Sequence, residues 1–210
     1  MQLKQIINDN KDFFYYKTLG EHLRGCSSVL DVGCGSDSPL VRIKKFFTSH
    51  GIDAHRPSIL KSKDKKIHDN YTVGNINNLR SHFKRKSFDA IIALDVIEHF
   101  PKEDSYKLIE EMEKIAKKKV ILLTPNGFYP QDGYDSNPYQ IHKSGWSSRD
   151  LKQLGYKVYG LRGFKYLRGN YATIKYRPWI FWGILAFISE PLLHFSPKLS
   201  YHLFAVKNLN

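Results

Sequence analysis

The sequence predicts an α/β fold, a doubly wound and mainly parallel sheet with helices on both faces. Three observations predict it. Short apolar runs alternate with helical segments through the first three quarters of the chain, which is the pattern of a parallel sheet covered by helices. The stretch from Val29 to Leu40, VLDVGCGSDSPL, sets a glycine turn directly after an apolar run and before a helix start, the order of a nucleotide cradle. The run SFDAIIALDVIEHFPKED holds an alternating apolar core from Phe88 to Leu94 and ends in an acid, Asp95, as a buried strand entering a site would.

Each element follows from its local pattern. Val29, Leu30 and Val32 form the first strand, Gly33 and Gly35 the turn that lets backbone approach a ligand, and Pro39 opens a helix. HGIDAH ends a second strand at Asp53, and Tyr71 to Leu79, YTVGNINNL, reads as a third strand followed by a polar turn. After the fourth strand, Ser105 to Lys117 gathers Leu108, Ile109, Met112, Ile115 and Ala116 on one helical face. Val120 to Pro125 is the fifth strand, and the Gly, Pro, Asn and Tyr-rich loop from Asn126 to Gly145 has the length of a functional loop. Ser147 to Leu154 reads as a capped helix, GYKVYGLRG as the sixth strand and SYHLFAVKN as the seventh. A chain of 210 residues is enough for one domain with a full core, here 1–210, with 163–199 inserted between the last two strands.

Asp31, Gly33 and Gly35 together resemble the cofactor loop of class I S-adenosylmethionine-dependent methyltransferases, and LDVIEHF resembles the fourth-strand motif of the small-molecule members, including the quinone-pathway group. The carboxylate of Asp31 would sit poorly beside a dinucleotide pyrophosphate and suits a ligand bearing an ammonium and a sulfonium. Two positions depart from the family pattern: its last loop glycine falls at Asp37, and its more frequent Asp falls at Asn75. The resemblance implies a Rossmann-like sheet of seven strands with the last one antiparallel. It implies S-adenosylmethionine as cofactor and S-adenosylhomocysteine as product. Asp31, Gly33 and Gly35 then cradle the cofactor, Asp53 accepts from the ribose, Asn75 and Ile76 lie in the adenine-contacting segment, and Asp95, Val96, Glu98 and His99 line the cofactor and acceptor pockets. No metal-ligand set is read from the sequence.

Methyl transfer to a hydroxyl needs the acceptor held at attack distance and its proton removed. His142, in YQIHKSGWSSRDL, resembles the family segment facing the acceptor and is the first candidate base; His99 competes for that role. His55, next to Asp53, is expected to shape the adenosine pocket, and Tyr129, Tyr134 and Tyr139 are candidate pocket residues. A catalytically silent cofactor-binding subunit stays open as well, on the Asp37 and Asn75 departures.

The formal charge of +13 bears on the partner. Arg42 to Lys86 holds twelve Lys or Arg against three Asp, a surface that attracts phosphate in RNA, lipid or metabolite. Against nucleic acid stands the lack of an appended RNA-binding module, so a small or lipid-like acceptor leads, and an RNA or protein acceptor is the alternative. Arg177 to Pro197, RPWIFWGILAFISEPLLHFSP, is near a bilayer span in length but is broken by Gly183, Glu190 and Pro191. It reads as a buried or pocket-covering helix pair, or as an element lying on an anionic membrane surface. The start of the chain has no run of signal-peptide length, so a cytoplasmic protein is expected, peripherally membrane-associated on the second reading. Cys26 and Cys34 flank a strand that holds them too far apart to bond.

Overall fold

The computed structural model describes residues 12–43, 46–133, 137–169 and 172–209. In chain order the elements are α1 (Phe13–Leu23), β1 (Ser28–Val32), β2 (Thr48–Asp53), α2 (Arg56–Asp64), β3 (Asn70–Val73), β4 (Phe88–Leu94), α3 (Lys102–Ile115), β5 (Ala116–Pro125), α4 (Ser148–Gln153), β6 (Lys157–Phe164), α5 (Trp179–His194) and β7 (Ser200–Asn208). The strands form one seven-stranded sheet in the order β3-β2-β1-β4-β5-β7-β6. β1 to β5 are parallel, and β7 runs antiparallel between β5 and β6. The strand order reverses between β1 and β4, which opens a crevice beyond their carboxyl ends.

Burial on both faces comes from the two-residue period of the strands. Leu30, Ile91, Leu122 and Leu203 point into one core with Leu108, Ile109, Met112 and Ile115 of α3. Their neighbours Val29, Ile92, Ile121 and Phe204 point into the other with Tyr15, Leu19 and Leu23 of α1. This is the doubly wound fold the sequence predicts, and Cys26 and Cys34 are buried free thiols.

Three local expectations are corrected. The helix expected over Ser105 to Lys117 is α3, Lys102–Ile115: Ala116 is extended (φ −71°, ψ 143°) because it already pairs with Phe88 of β4. The helix expected from Pro39 is one 3₁₀ turn, Pro39–Arg42, because Ser38 caps Leu40 and Ile43 returns to extended backbone. Among the described residues the insertion holds one long helix, α5, where a pair was expected.

α5 lies close on β6. A Cβ added at Gly160 would stand 2.2 Å from the Leu193 carbonyl oxygen, and one at Gly163 would stand 2.3 Å from that of Ala186. Between them the ladder shifts register, leaving Arg162 at φ 61°. The Arg162 N–H donates instead to Glu190 Oε1 of α5 at 2.8 Å. Burial pushes the Glu190 carboxyl up to about 7, although that hydrogen bond and the Arg168 and Arg162 charges act the other way.

Candidate functional site

Three adjoining cavities occupy the crevice. The first, about 330 Å³, is lined by Tyr15, Asp31, Gly33, Gly35 and Arg162 among others. Asp31 accepts a 2.5 Å hydrogen bond from the Ser38 hydroxyl, and His68 Nε2 lies 3.5 Å from the same oxygen. Ser38, just past the glycine turn, therefore orients the strand-end acid. Gly33 has φ 67°, and a Cβ there would lie 2.7 Å from Val96, so the turn must be bare to lie against the loop after β4. Gly35 has φ 56°, and a Cβ there would meet nothing within 4 Å, so its backbone faces open cavity.

The second cavity, about 280 Å³, is lined by Asp53, Asn75, Ile76, Val96 and Tyr139, with Gly33 shared. Asp53 accepts from the Gly35 N–H at 2.9 Å and from the His55 N–H at 2.7 Å, one bond to each carboxylate oxygen. It therefore clamps the glycine turn to the end of β2 and keeps a lone pair on each oxygen for a ligand. His55 lines none of these cavities: its ring bonds the Ser58 hydroxyl at 2.8 Å, and only its backbone serves Asp53. Asn75 uses its side-chain oxygen to cap the Ile76–Ser81 turn at the Asn77 N–H (2.9 Å).

The third cavity, about 250 Å³, is lined by Glu98, His99, Tyr129, His142, Arg162 and His202 among others. The long loop supplies one wall, as its length suggests. His142 Nδ1 is 2.7 Å from the Tyr129 carbonyl, and His99 Nδ1 is 3.3 Å from that of Ile141. A carbonyl only accepts, so each Nδ1 carries a proton, and Nε2 is the nitrogen that accepts when the ring is neutral. The rings meet edge to face with centroids 4.9 Å apart. Burial, with the neighbouring His142 second, lowers His99 to about 4, so it is neutral near pH 7. Glu98 accepts from the Thr124 hydroxyl at 3.0 Å through one oxygen, and its buried Oε1 has no hydrogen-bond partner. Burial, and then the Asp95 charge, pushes Glu98 well above the carboxylate range.

Asp95 lines all three cavities, as does Gln140 of the long loop. It sits at φ 55° just past β4, and His202 Nε2 of β7 meets its carboxylate at 3.1 Å. Burial opposes its charge, but His202 and then Arg162 hold it below the usual carboxylate range.

Residues 30–124 match the family model described as a methyltransferase domain. The chain is 23% identical over 176 residues to a small RNA 2'-O-methyltransferase of Tetrahymena thermophila, covering 66% of this chain and 41% of that protein. It is 25% identical over 148 residues to the chloroplastic magnesium protoporphyrin IX methyltransferase of Arabidopsis thaliana, covering 62% and 46%. An S-adenosylmethionine-dependent methyltransferase from Archaeoglobus fulgidus shares the fold, with a TM-score of 0.59 at 18% identity over 92% of this chain and 94% of that one. Residues 30–124 therefore carry a methyltransferase domain, within a sheet that has the fold of S-adenosylmethionine-dependent methyltransferases. It spans less than half the length of the two curated relatives.

The residues of this methyltransferase domain singled out from sequence fall into two groups. Asp31, Gly33, Gly35, Asp53, Asn75, Ile76 and Asp95 border the first two cavities, while His142 lines the third alone and His99 both the second and the third. Tyr129 lines the third cavity and Tyr139 the second, whereas Tyr134 lies outside the described residues. Sequence reasoning missed Tyr15, Arg162 and His202. Arg162 and His202 had a signal, a charged and a polar residue inside otherwise apolar strand patterns. It also assembled no metal-ligand set, yet Glu98, His99 and His142 each offer a ligand atom, all within 4.8 Å of one another. Two imidazoles oriented through Nδ1, with a carboxylate oxygen in want of a partner, form a donor set that a divalent cation could use.

Proposed function

We propose that the domain transfers a methyl group to a hydroxyl of a small, lipid-like acceptor seated in the third cavity. Bound S-adenosylmethionine supplies an electrophilic methyl on a sulfonium, with a neutral thioether as leaving group. Asp31, Gly33 and Gly35 hold its methionine end, Asp53 accepts from its ribose hydroxyls, and Ile76 and Asn75 border its adenine. The observation that carries the acceptor assignment is the His99 and His142 pair, held through Nδ1 in the wall of a cavity that shares Asp95 and Gln140 with the cofactor side. His142 takes the hydroxyl proton at Nε2 as oxygen gains the methyl, and the bond from Nδ1 to the Tyr129 carbonyl stabilises the imidazolium that results.

A second reading rests on the same residues. Glu98, His99 and His142 would hold a divalent cation that lowers the pKa of the bound acceptor hydroxyl. RNA is the alternative acceptor, supported by the charge of +13 and by the 2'-O specificity in the name of the Tetrahymena relative.

One experiment separates these. Labelled cofactor is incubated with lipid, small-molecule and RNA fractions, with and without a chelator. Label in the lipid or small-molecule fraction is the expected result. Label in RNA alone, with steep salt dependence, overturns the acceptor class. Activity abolished by chelation and restored by a divalent cation favours the cation, and activity indifferent to it favours the base. No label anywhere, from protein that still binds cofactor, leaves a non-catalytic subunit.

The cofactor assignment has its own test. Asp53→Ala removes an acceptor from two backbone N–H groups and from the ribose, so calorimetry is expected to show affinity for S-adenosylhomocysteine weakened by about 1.5–3 kcal/mol, ten-fold or more. Unchanged affinity would remove Asp53 from the site.

A further inference from the structure

α5 is apolar almost all round, yet it buries only Ala186, Glu190 and Leu193 against the domain. A helix of that composition is normally covered on every side. Here Phe181 is 58% exposed, Ile188 62%, Leu192 77% and Phe195, just past the helix, 80%. The surface extends to α1, where Phe14 meets Phe187 at 5.6 Å between ring centroids and Phe13 is half exposed. Contiguous exposed apolar surface of this kind marks an interaction site.

Charge identifies what covers it. From Leu151 to Asn210 the chain carries nine Lys or Arg and a single acid, Glu190, which is buried. Every formal side-chain charge that this stretch exposes is therefore basic, with Lys175 and Arg177 just before the helix and Lys198 just after, while the facing α1 segment carries Asp12, paired with Arg162, and Glu21, near His194. Tyr176, Trp179 and Trp182 cluster at the same end, and Tyr and Trp are the residues that settle at headgroup depth. Apolar side chains to enter the acyl boundary, aromatics at the interface and cations for phosphate form the footprint of an interfacial helix. A second copy of the chain would bring a like charge of +13 to the same face. No helix among the described residues is long and apolar enough to cross a membrane, so α5 would lie along the surface.

We infer that α5 and the adjoining end of α1 dock the domain on an anionic bilayer. The docking surface is wired to the acceptor cavity. Glu190 of α5 accepts from the Arg162 N–H at 2.8 Å, and Arg168 donates to the carbonyls of Arg162 (2.5 Å) and Ala172 (2.6 Å), both residues of the cavity wall. Resting on the acceptor reading above, this places the cavity wall against the element that meets lipid, so that a bilayer-borne acceptor has a short path to it. The docking itself needs neither cofactor nor catalysis.

The test is co-sedimentation with phosphatidylcholine vesicles, with and without phosphatidylserine, at low and physiological salt. The full chain is expected to partition to the anionic vesicles, with blue-shifted tryptophan fluorescence from Trp179 and Trp182. Substituting Phe181→Ser, Ile188→Ser and Leu192→Ser together, all at exposed positions, is expected to lower partitioning about ten-fold or more. Affinity for S-adenosylhomocysteine should stay unchanged, which also reports that the triple variant is folded. Lys175→Glu with Arg177→Glu is expected to abolish the preference for anionic vesicles. The inference is overturned if wild type stays in the supernatant at low salt, or if the apolar triple variant binds as well as wild type. It is equally overturned if light scattering without lipid shows an oligomer that the triple variant dissolves. Loss of methyl transfer with vesicle binding intact would strike the acceptor reading alone.

Discussion

Replacing His142 by Ala is expected to lower methyl transfer by about 10² to 10⁴ while leaving cofactor affinity unchanged. The two effects separate because His142 lines the third cavity and neither of the first two. Its Nδ1 proton is committed to the Tyr129 carbonyl at 2.7 Å, so Nε2 is the atom free to take a proton or bind a cation. Single-turnover rates beside calorimetric affinities measure the split. His99→Ala is the informative companion, because its ring packs on that of His142 at 4.9 Å. A silent His142→Ala with a large loss in His99→Ala would reverse the assignment of the base. Equal losses in both, together with dependence on a divalent cation, would identify the shared cation site. If His142→Ala turns over within two-fold of wild type, neither role survives.

Gly163→Ala is expected to destabilise the domain by about 2–5 kcal/mol. Two costs add: a left-handed backbone costs Ala roughly 1–2 kcal/mol, and forcing a methyl into a filled space costs about 1–3 kcal/mol. The φ there is 70°, and the added Cβ would stand 2.3 Å from the Ala186 carbonyl oxygen, a backbone atom that moves only if α5 moves. Gly183, on α5 itself, is the control, because a Cβ there meets nothing within 4 Å. Gly183→Ala is expected to stabilise by up to about 1 kcal/mol through helix propensity. Urea denaturation of both variants checks the pair. A Gly163→Ala chain as stable as wild type would mean that α5 does not need its close seat on β6.

The fold was legible wherever a periodic pattern met a turn signal. Phe88 to Leu94 and Ser200 to Asn208 form strands with the bounds read from sequence, because each is a run of mostly apolar residues set between polar ones. The glycine turn was legible because few backbones other than glycine tolerate positive φ beside a close neighbour such as Val96. Element ends were less so. Ala116 has a helical neighbourhood, and pairing with Phe88 made it strand. Of the residues that line the three cavities, those inside motifs were legible. Arg162 and His202 were not, because they come from β6 and β7, and only the antiparallel return of β7 between β5 and β6 brings them to Asp95.

By itself the sequence determined the doubly wound sheet, and it singled out the glycine turn and the two histidines proposed here to face the acceptor, since each depends on spacing within one segment. The tertiary structure decided three things. It used Ser38 to orient Asp31, and it joined Glu98, His99 and His142 across 44 residues of chain into one donor set. It also turned an apolar run into a helix that buries one narrow stripe and leaves the rest exposed. Composition sets how much apolar surface a segment carries. Only the packing partners decide how much of that surface the domain covers, and β6 offers α5 a bed one strand wide, at the edge of the sheet.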